Sequence, residues 1–327
     1  MTDATPVLQT RGLTRHFRIG GVRGHTLHAV DDVDLRINER EIVALVGESG
    51  SGKSTMARLL AMVYQPTRGE ILFRGQPLAG LRSRRDVLSY RGQVPMVFQD
   101  PFSSLNPSHT IGYAMTRALK LHQPSLSREQ RDAEAARVLE TVGLVPPAQT
   151  LAKYPYEMSG GQRQRANFAL ALACQPKLVL ADEPVSMLDV SIRVGLLNLM
   201  ARLRDDEGVS VLYITHDIAS ARYVSDRVIV MYAGHVVESG PAEEVLHGPV
   251  HPYTRLLLSA VPNPKTPISV SSAEVGEPPR VVDPGEGCRF RSRCPLAVQT
   301  CSEVTPRLRT AAAGHEAACH VTVPEAM

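Results

Sequence analysis

The sequence predicts an α/β fold in which a mostly parallel sheet is covered by helices on both faces. Three observations carry this. Short apolar runs at Glu41 to Val46, Leu178 to Ala181, Val209 to Ile214 and Arg227 to Met231 read as buried strands. Helical patterns lie between them. The first run passes directly into a Gly-rich loop and then a helical pattern from Lys53 to Val63, the strand, loop and helix order that a phosphate-binding loop requires.

In chain order, Val7 to Phe17 and Thr26 to Ile37 alternate in strand fashion, ahead of the Glu41 to Val46 run. Gly69 to Arg74 and Gln93 to Phe98 look like further strands, separated by a basic loop at Arg82 to Arg85. Between Ile111 and Gly143 the pattern turns helical; Ser127 with Gln130 offers a capping box, and Gly143 a stop. A helix starts at Ser159 and runs along an Ala-rich apolar face to Cys174. After about Gly248 the texture changes. His251 to Val261 reads as one short helix, followed by a Pro- and Ser-rich linker from Pro262 to Pro284 and a cysteine-bearing tail. No fixed-period repeat or coiled-coil heptad is visible.

A chain of 327 residues with 43% hydrophobic and 21% charged side chains has room for one large domain plus a smaller one, or for two ordinary domains, with a proper core. A net charge of only +3 gives no reason to expect a general nucleic-acid binder. Met1 to Thr10 is polar and lacks a signal pattern, so export is not expected. The longest apolar stretches, Ala166 to Cys174 and Lys177 to Ala181, are too short to span a bilayer, so a membrane role would require other chains. In a cytoplasmic setting thiols stay reduced, and clustered cysteines then point to metal rather than to disulfides.

The chemistry-bearing motifs begin with Gly47, Glu48, Ser49, Gly50, Ser51, Gly52, Lys53 and Ser54, followed by Thr55. Glycines let backbone N–H groups converge on phosphate oxygens, and the following helix turns its positive end toward them. Lys53 can reach the β- and γ-phosphates, and Ser54 offers a hydroxyl to Mg2+. A flexible turn before a helix is the competing reading. Asp182 and Glu183 end an apolar strand: Asp182 suits Mg2+, and Glu183 suits orienting or deprotonating an attacking water. Two acids after a strand are also a common helix N-terminal pair. Ser159, Gly160, Gly161 and Gln162 open a helix with exposed N–H groups, which alone is an ordinary N-cap.

Taken in order over residues 7 to about 245, these motifs resemble those of the ATP-binding-cassette (ABC) ATPases. The series is the phosphate loop, Gln99 in Val97-Phe-Gln-Asp-Pro, the Ser159 to Gln162 signature, Asp182-Glu183-Pro184, Leu188-Asp189 and Thr215-His216-Asp217. The resemblance implies a P-loop NTPase (RecA-like) cassette with an N-terminal antiparallel β-subdomain, a helical signature subdomain over about residues 100–165 and a small C-terminal extension. It divides the chain into a cassette, residues 1–248, and an extension, residues 249–327. It implies ATP and Mg2+ as ligands, with Gln99 touching Mg2+ or the attacking water and His216 contacting the γ-phosphate. Asp189 is expected at a subunit interface, and Phe17 stacked on adenine, although a strand-end core phenylalanine reads the same way. The signature would serve the ATP of a partner cassette, identical or related. Met158 stands where leucine is commoner, Leu170 where arginine is frequent and Met187 where alanine is usual; none removes a phosphate ligand.

The tail narrows the resemblance to the ATPases of oligopeptide and dipeptide importers. It rests on His251-Pro-Tyr-Thr-Arg-Leu-Leu, Gly287-Cys-Arg-Phe-Arg-Ser-Arg-Cys-Pro295 and Phe102-Ser-Ser-Leu-Asn-Pro107. Such proteins work at the cytoplasmic face of the membrane with two permease subunits and an external binding protein. Nickel is an alternative cargo, and a regulatory, nonhydrolytic subunit an alternative role. A soluble cassette acting on DNA or ribosomes would need a coiled-coil insertion or a second cassette, and neither is visible. Cys288, Cys294, Cys301 and Cys319 lack paired C-x-x-C knuckles, and relatives carry a 4Fe-4S cluster. Zinc and four unligated thiols remain alternatives, and His315 and His320 are possible substitute ligands. Cys174, alone on an apolar helix, reads as core.

Overall fold

The computed structural model describes residues 5–20, 24–100, 104–260 and 281–323. Phe102, Ser103 and most of the Pro- and Ser-rich linker lie outside the described residues. The chain forms two compact units, one of residues 1–78 and 213–327, the other of residues 79–212.

In the first unit, β1 (Leu8–Ile19) and β2 (His25–Ile37) pair antiparallel from Leu8↔Ile37 to Ile19↔His25. Their inward residues Leu8, Leu13, Val30, Val33, Leu35 and Ile37 are buried. β3 (Ile42–Val46) is buried at every residue, which is why it reads as a continuous apolar run rather than an alternating one. It leads into α1 (Lys53–Leu60). That helix stops short of Val63 because Met62 turns to a left-handed φ of 55° and the Val63 and Tyr64 amides both bond back to the Arg58 carbonyl. β4 (Arg68–Phe73) pairs with the other side of β1, and β5 (Gln76–Pro77) completes an antiparallel sheet ordered β2-β1-β4-β5.

The second unit opens with a departure from the sequence reading. The arginines at 82–85, read as a loop, introduce α2 (Arg84–Gln93), whose N-cap Ser83 accepts the Asp86 amide at 3.0 Å. The strand read over 93–98 shrinks to β6 (Met96–Val97). The helical stretch 111–143 is two helices: α3 (Ile111–His122), capped by Thr110, and α4 (Arg128–Thr141), whose Ser127–Gln130 capping box forms as expected. Gly143, at a φ of 74°, follows the end of α4. Next come α5 (Pro147–Ala152), α6 (Gly160–Leu172), β7 (Leu178–Asp182) and α7 (Val190–Asp205). β6 and β7 pair in parallel, Met96 opposite Leu180 and Val97 opposite Ala181. Met115 and Leu119 of α3, Val138 and Leu139 of α4 and Phe168 of α6 are fully buried in this unit.

The chain returns to the first unit within β8 (Ser210–Thr215). It continues as α8 (Ile218–Val224), β9 (Arg227–Tyr232), β10 (His235–Pro241), α9 (Ala242–His247) and α10 (Pro252–Ser259). The tail adds α11 (Thr300–Glu303), β11 (Arg309–Ala312) and β12 (His315–Ala317). β3 pairs in parallel with β9, while β10, β12 and β11 add successive antiparallel pairs. The sheet is therefore mixed rather than mostly parallel, because the tail's strands extend it without crossover helices. Buried Glu238 of β10 fastens the tail: it accepts His315 Nε2 at 2.7 Å and the amides of Val250 and His251 at 2.7 and 2.9 Å.

Candidate functional site

The phosphate loop belongs to the first unit. Gly47 has a φ of 153°, and a Cβ there would lie 2.2 Å from the Met231 carbonyl oxygen. Gly52, the N-cap of α1 at a φ of 107°, would place a Cβ 2.2 Å from the Ala29 carbonyl. Neighbouring strands thus press on both ends of the loop so closely that only glycine fits. Lys53 is buried and folds across the loop, donating from Nζ to the Gly47 and Glu48 carbonyls at 2.7 and 2.8 Å and to Ser51 Oγ at 3.4 Å. Ser54 and Thr55 follow on the first turn of α1, where N–H groups have no intrahelical partner. Ser49 and Gly50 form the exposed tip. Such a loop, with a lysine already drawn to it, has the chemistry to receive an anion.

His216 lies in the same unit, exposed between the end of β8 and α8, which packs on β3. Asp217 fixes that turn: its carboxylate accepts the Ala219 amide at 3.0 Å and its own amide donates to Thr215 Oγ1 at 3.0 Å. Phe17 is half-buried near the end of β1 and is not a core residue. It meets Tyr64 edge-on at 5.4 Å, and the Arg15 guanidinium lies 4.5 Å from its ring centroid. Nothing in the sequence assigned a role to Arg15, which stands in the same Leu13-Thr-Arg-His-Phe17 stretch as Phe17, or to Tyr64, which lies outside every motif.

In the second unit, parallel register does the positioning. Val97 faces Ala181, so Gln99 and Glu183 each emerge two residues beyond a paired position, at the C-terminal ends of β6 and β7. Gln99 Nε2 donates to Glu183 Oε2 at 3.2 Å. Glu183 has a left-handed φ of 46°, a costly conformation for a residue with a Cβ, held by Ser186, whose amide and Oγ both donate to its carbonyl. Asp182, the last residue of β7, is buried.

Ser159 caps α6 in a reciprocal box, Gln162 N–H to Ser159 Oγ at 3.3 Å and Ser159 N–H to Gln162 Oε1 at 3.1 Å. Gly160 and Gly161 face the start of α7: a Cβ on Gly161 would lie 2.5 Å from Ile192 Cγ2. Met158 is buried, as a volume-conserving change allows, whereas Met187 is 59% exposed. Asp189 is the exposed N-cap of α7.

The four tail cysteines are all unbonded, and Cys294, Cys301 and Cys319 lie near enough to act on the Cys288 thiol. Burial, with Cys301, Cys294 and Cys319 adding, pushes the Cys288 thiol up to about 11, against the pull of the Phe290 amide. Among the described residues the single set of three His, Cys, Asp or Glu ligand atoms within 4.8 Å of one another is His16, His28 and Asp31, so no three sulfurs come that close. A tetrahedral zinc with Zn–S of about 2.3 Å would hold its sulfurs about 3.8 Å apart. His315 and His320 each place Nε2 on an oxygen, that of Glu238 and the Val304 carbonyl respectively. At Asp31 a cation is already present: Arg289 donates to Oδ2 at 2.5 Å, alongside His28 and His16. Cys174 is half-buried just beyond the end of α6 rather than on the helix, its thiol pushed up to about 11 by burial.

Comparison with known proteins agrees with this geometry. The ABC transporter family model matches residues 30–186, and the model of the oligopeptide/dipeptide transporter C-terminal region matches residues 237–301. A relative from Sinorhizobium fredii, named as a probable peptide ABC transporter ATP-binding protein, is 42% identical over 331 residues, covering 100% of this chain and 92% of its own. The oligopeptide transport ATP-binding protein OppF of Escherichia coli is 43% identical over 286 residues, covering 86% of this chain and 85% of its own. A solved dimeric ATP-binding cassette in a post-hydrolysis state with ADP and Pi, MJ0796, has a TM-score of 0.64 and 29% identity, covering 72% of this chain and 98% of that one.

Proposed function

Because this chain belongs to the ABC transporter ATP-binding family, we propose that it is the ATP-hydrolysing subunit of an importer whose cargo is di- or oligopeptides. The observation that carries the catalytic part is the Gln99–Glu183 contact at the matched ends of β6 and β7. A carboxylate at the end of a parallel strand, oriented by a neighbouring amide, suits a base for an attacking water.

Each residue's role follows from its chemistry. The loop amides from Gly47 to Ser54 and the Lys53 ammonium receive the β- and γ-phosphates, and Thr55 adds a first-turn hydroxyl. His216 contacts the γ-phosphate, and Phe17, with Tyr64 beside it, offers an aromatic face to adenine. Mg2+, when bound, neutralises charge developing on the phosphates. The Ser54 hydroxyl, the Asp182 carboxylate and the Gln99 amide oxygen are hard oxygen donors of the kind that would hold it. Glu183 orients and deprotonates water; positioning and charge carry the rest of the rate.

The helix start at Ser159, Gly160, Gly161 and Gln162, exposed at Ser159 and Gln162, serves the nucleotide of a second cassette, identical or related. Two permease subunits receive the resulting motion, with an external binding protein delivering cargo, and no helix among the described residues is long and apolar enough to cross a membrane. In this reading the chain works at the cytoplasmic face of the membrane. The cassette is residues 1–248 and the extension residues 249–327. Cys288, Cys294, Cys301 and Cys319 are the thiols that would hold a 4Fe-4S cluster.

Glu183→Gln tests the assignment. It keeps size and the Gln99 contact while removing the base, so ATP turnover should fall by about a hundredfold or more with ATP affinity retained. Equal turnover by the two proteins would exclude Glu183 as the base and favour the nonhydrolytic role.

A further inference from the structure

Glu48, the second residue of the phosphate loop, is gripped by the tail. Arg293 donates from one Nη to Oε2 at 2.7 Å and from the other to Oε1 at 2.9 Å, a fork-to-fork pair. The arginine side chain is 8% exposed and that of the glutamate 26%, so water screens the pair little. The Glu48 backbone N–H also donates to Tyr253 Oη at 2.9 Å. Tyr253 is fully buried, and its ring meets Tyr232 at 4.5 Å and Phe290 at 5.5 Å, which makes the anchor rigid. Arg289, four residues before Arg293, reaches the loop's other end indirectly. It donates to Asp31 and to the Ala233 carbonyl, while the adjacent Gly234 amide donates to the Ser51 carbonyl.

These contacts converge on one peptide group. The Glu48 carbonyl is an acceptor of Lys53 Nζ, so whatever fixes the Glu48 backbone also fixes where the lysine ammonium stands. We propose that Arg293 of the C-terminal extension is a positioning residue for nucleotide binding, holding Glu48 so that the phosphate loop and Lys53 keep their receiving shape. The inference rests on the reading of Gly47 to Thr55 as the nucleotide loop. The tail then completes the ATP site from outside the cassette motifs, without touching nucleotide itself.

The test measures Mg-ATP affinity and thermal midpoint together on the full-length chain. Arg293→Ala should raise the Kd about tenfold, the scale of losing one bidentate charged contact. Arg293→Lys should recover only part of this, because an ammonium is a point charge that cannot grip both carboxylate oxygens. Glu48→Gln keeps the shape but not the charge, and should weaken binding in the same direction; it serves also if Arg293→Ala fails to fold. Adding Arg293→Ala to Glu48→Gln should cost little more than either alone. A lowered midpoint with unchanged Kd in both Arg293→Ala and Glu48→Gln would overturn the proposal, leaving the pair a stability contact only. Lys53→Ala is the control. If it too leaves Kd unchanged, the nucleotide-loop reading fails and takes this proposal with it; if it abolishes binding, the Arg293 result stands by itself.

Discussion

Gly161 sits where two demands meet. Its N–H belongs to the first turn of α6, and its missing side chain makes room for Ile192, whose Cγ2 would stand 2.5 Å from an added Cβ. Ile192 lies on α7, where a β-branched side chain has one favoured rotamer, so it can yield only by leaving that rotamer or by shifting the helix. Gly161→Ala should therefore destabilise the protein by about 1–2 kcal/mol despite the better helix propensity of alanine. Adding Ile192→Ala should restore much of the loss; thermal unfolding of the three variants checks this. An unchanged midpoint for Gly161→Ala would mean that α7 gives way freely. The sequence made Gly161 legible as an anion-receiving N–H but not as a packing site, because the contact depends on α7, which lies distant in the chain. Arg293 and Tyr253 were missed for the same reason: Tyr253 reaches Glu48 across 205 positions.

Among elements, those whose signal is local matched their reading. Ser127 with Gln130 marked a helix start, and the uninterrupted apolar runs of β3 and β7 marked strands buried on both faces. α2 was lost because its arginines suggested a loop, while its Ser83 cap carried the helix signal; its inward residues Tyr90 and Gly92 are too few to set a clear period. α10 supplies a pH prediction. Its N-cap is His251, whose Nδ1 accepts the Tyr253 amide at 3.1 Å, and burial pushes its pKa down to about 4, opposed by a backbone hydrogen bond to Ala318. The unfolded chain, with a histidine near 6.5, binds that proton more readily than the folded one. Stability is thus fully present above pH 6.5 and is lost as the pH falls toward 4, by about 2 kcal/mol at pH 5. His251→Asn keeps a cap acceptor without the titration, so its stability should vary less between pH 7 and 5. Denaturant unfolding at the two pH values measures the difference, and equal slopes would contradict the buried neutral imidazole.

At the scale of the whole molecule, the tail's last segment has little core of its own. Between 281 and 323 its buried apolar side chains are few, and it leans on β10 through β12 and on the Glu238–His315 pair. Such a segment gains from a cross-link. Cys288, Cys294, Cys301 and Cys319 come from a loop, the end of a short 3-10 turn, α11 and the stretch after β12, so one group bound to all four would tie separate pieces together. The sequence disclosed the four thiols but not their convergence, which depends on β12 returning to β10. Burial, with the neighbouring cysteines adding, pushes the Cys288 thiol up to about 11, and bound iron would let it ionise. Full-length protein purified without oxygen should therefore carry iron and sulfide and absorb broadly in the visible. Cys288→Ser with Cys294→Ser should remove both and lower the thermal midpoint by several degrees, the effect expected for about 1–2 kcal/mol in a chain of this size. A colourless wild-type protein with one zinc per chain, or one with no metal and the same midpoint as the double variant, would rule the cluster out.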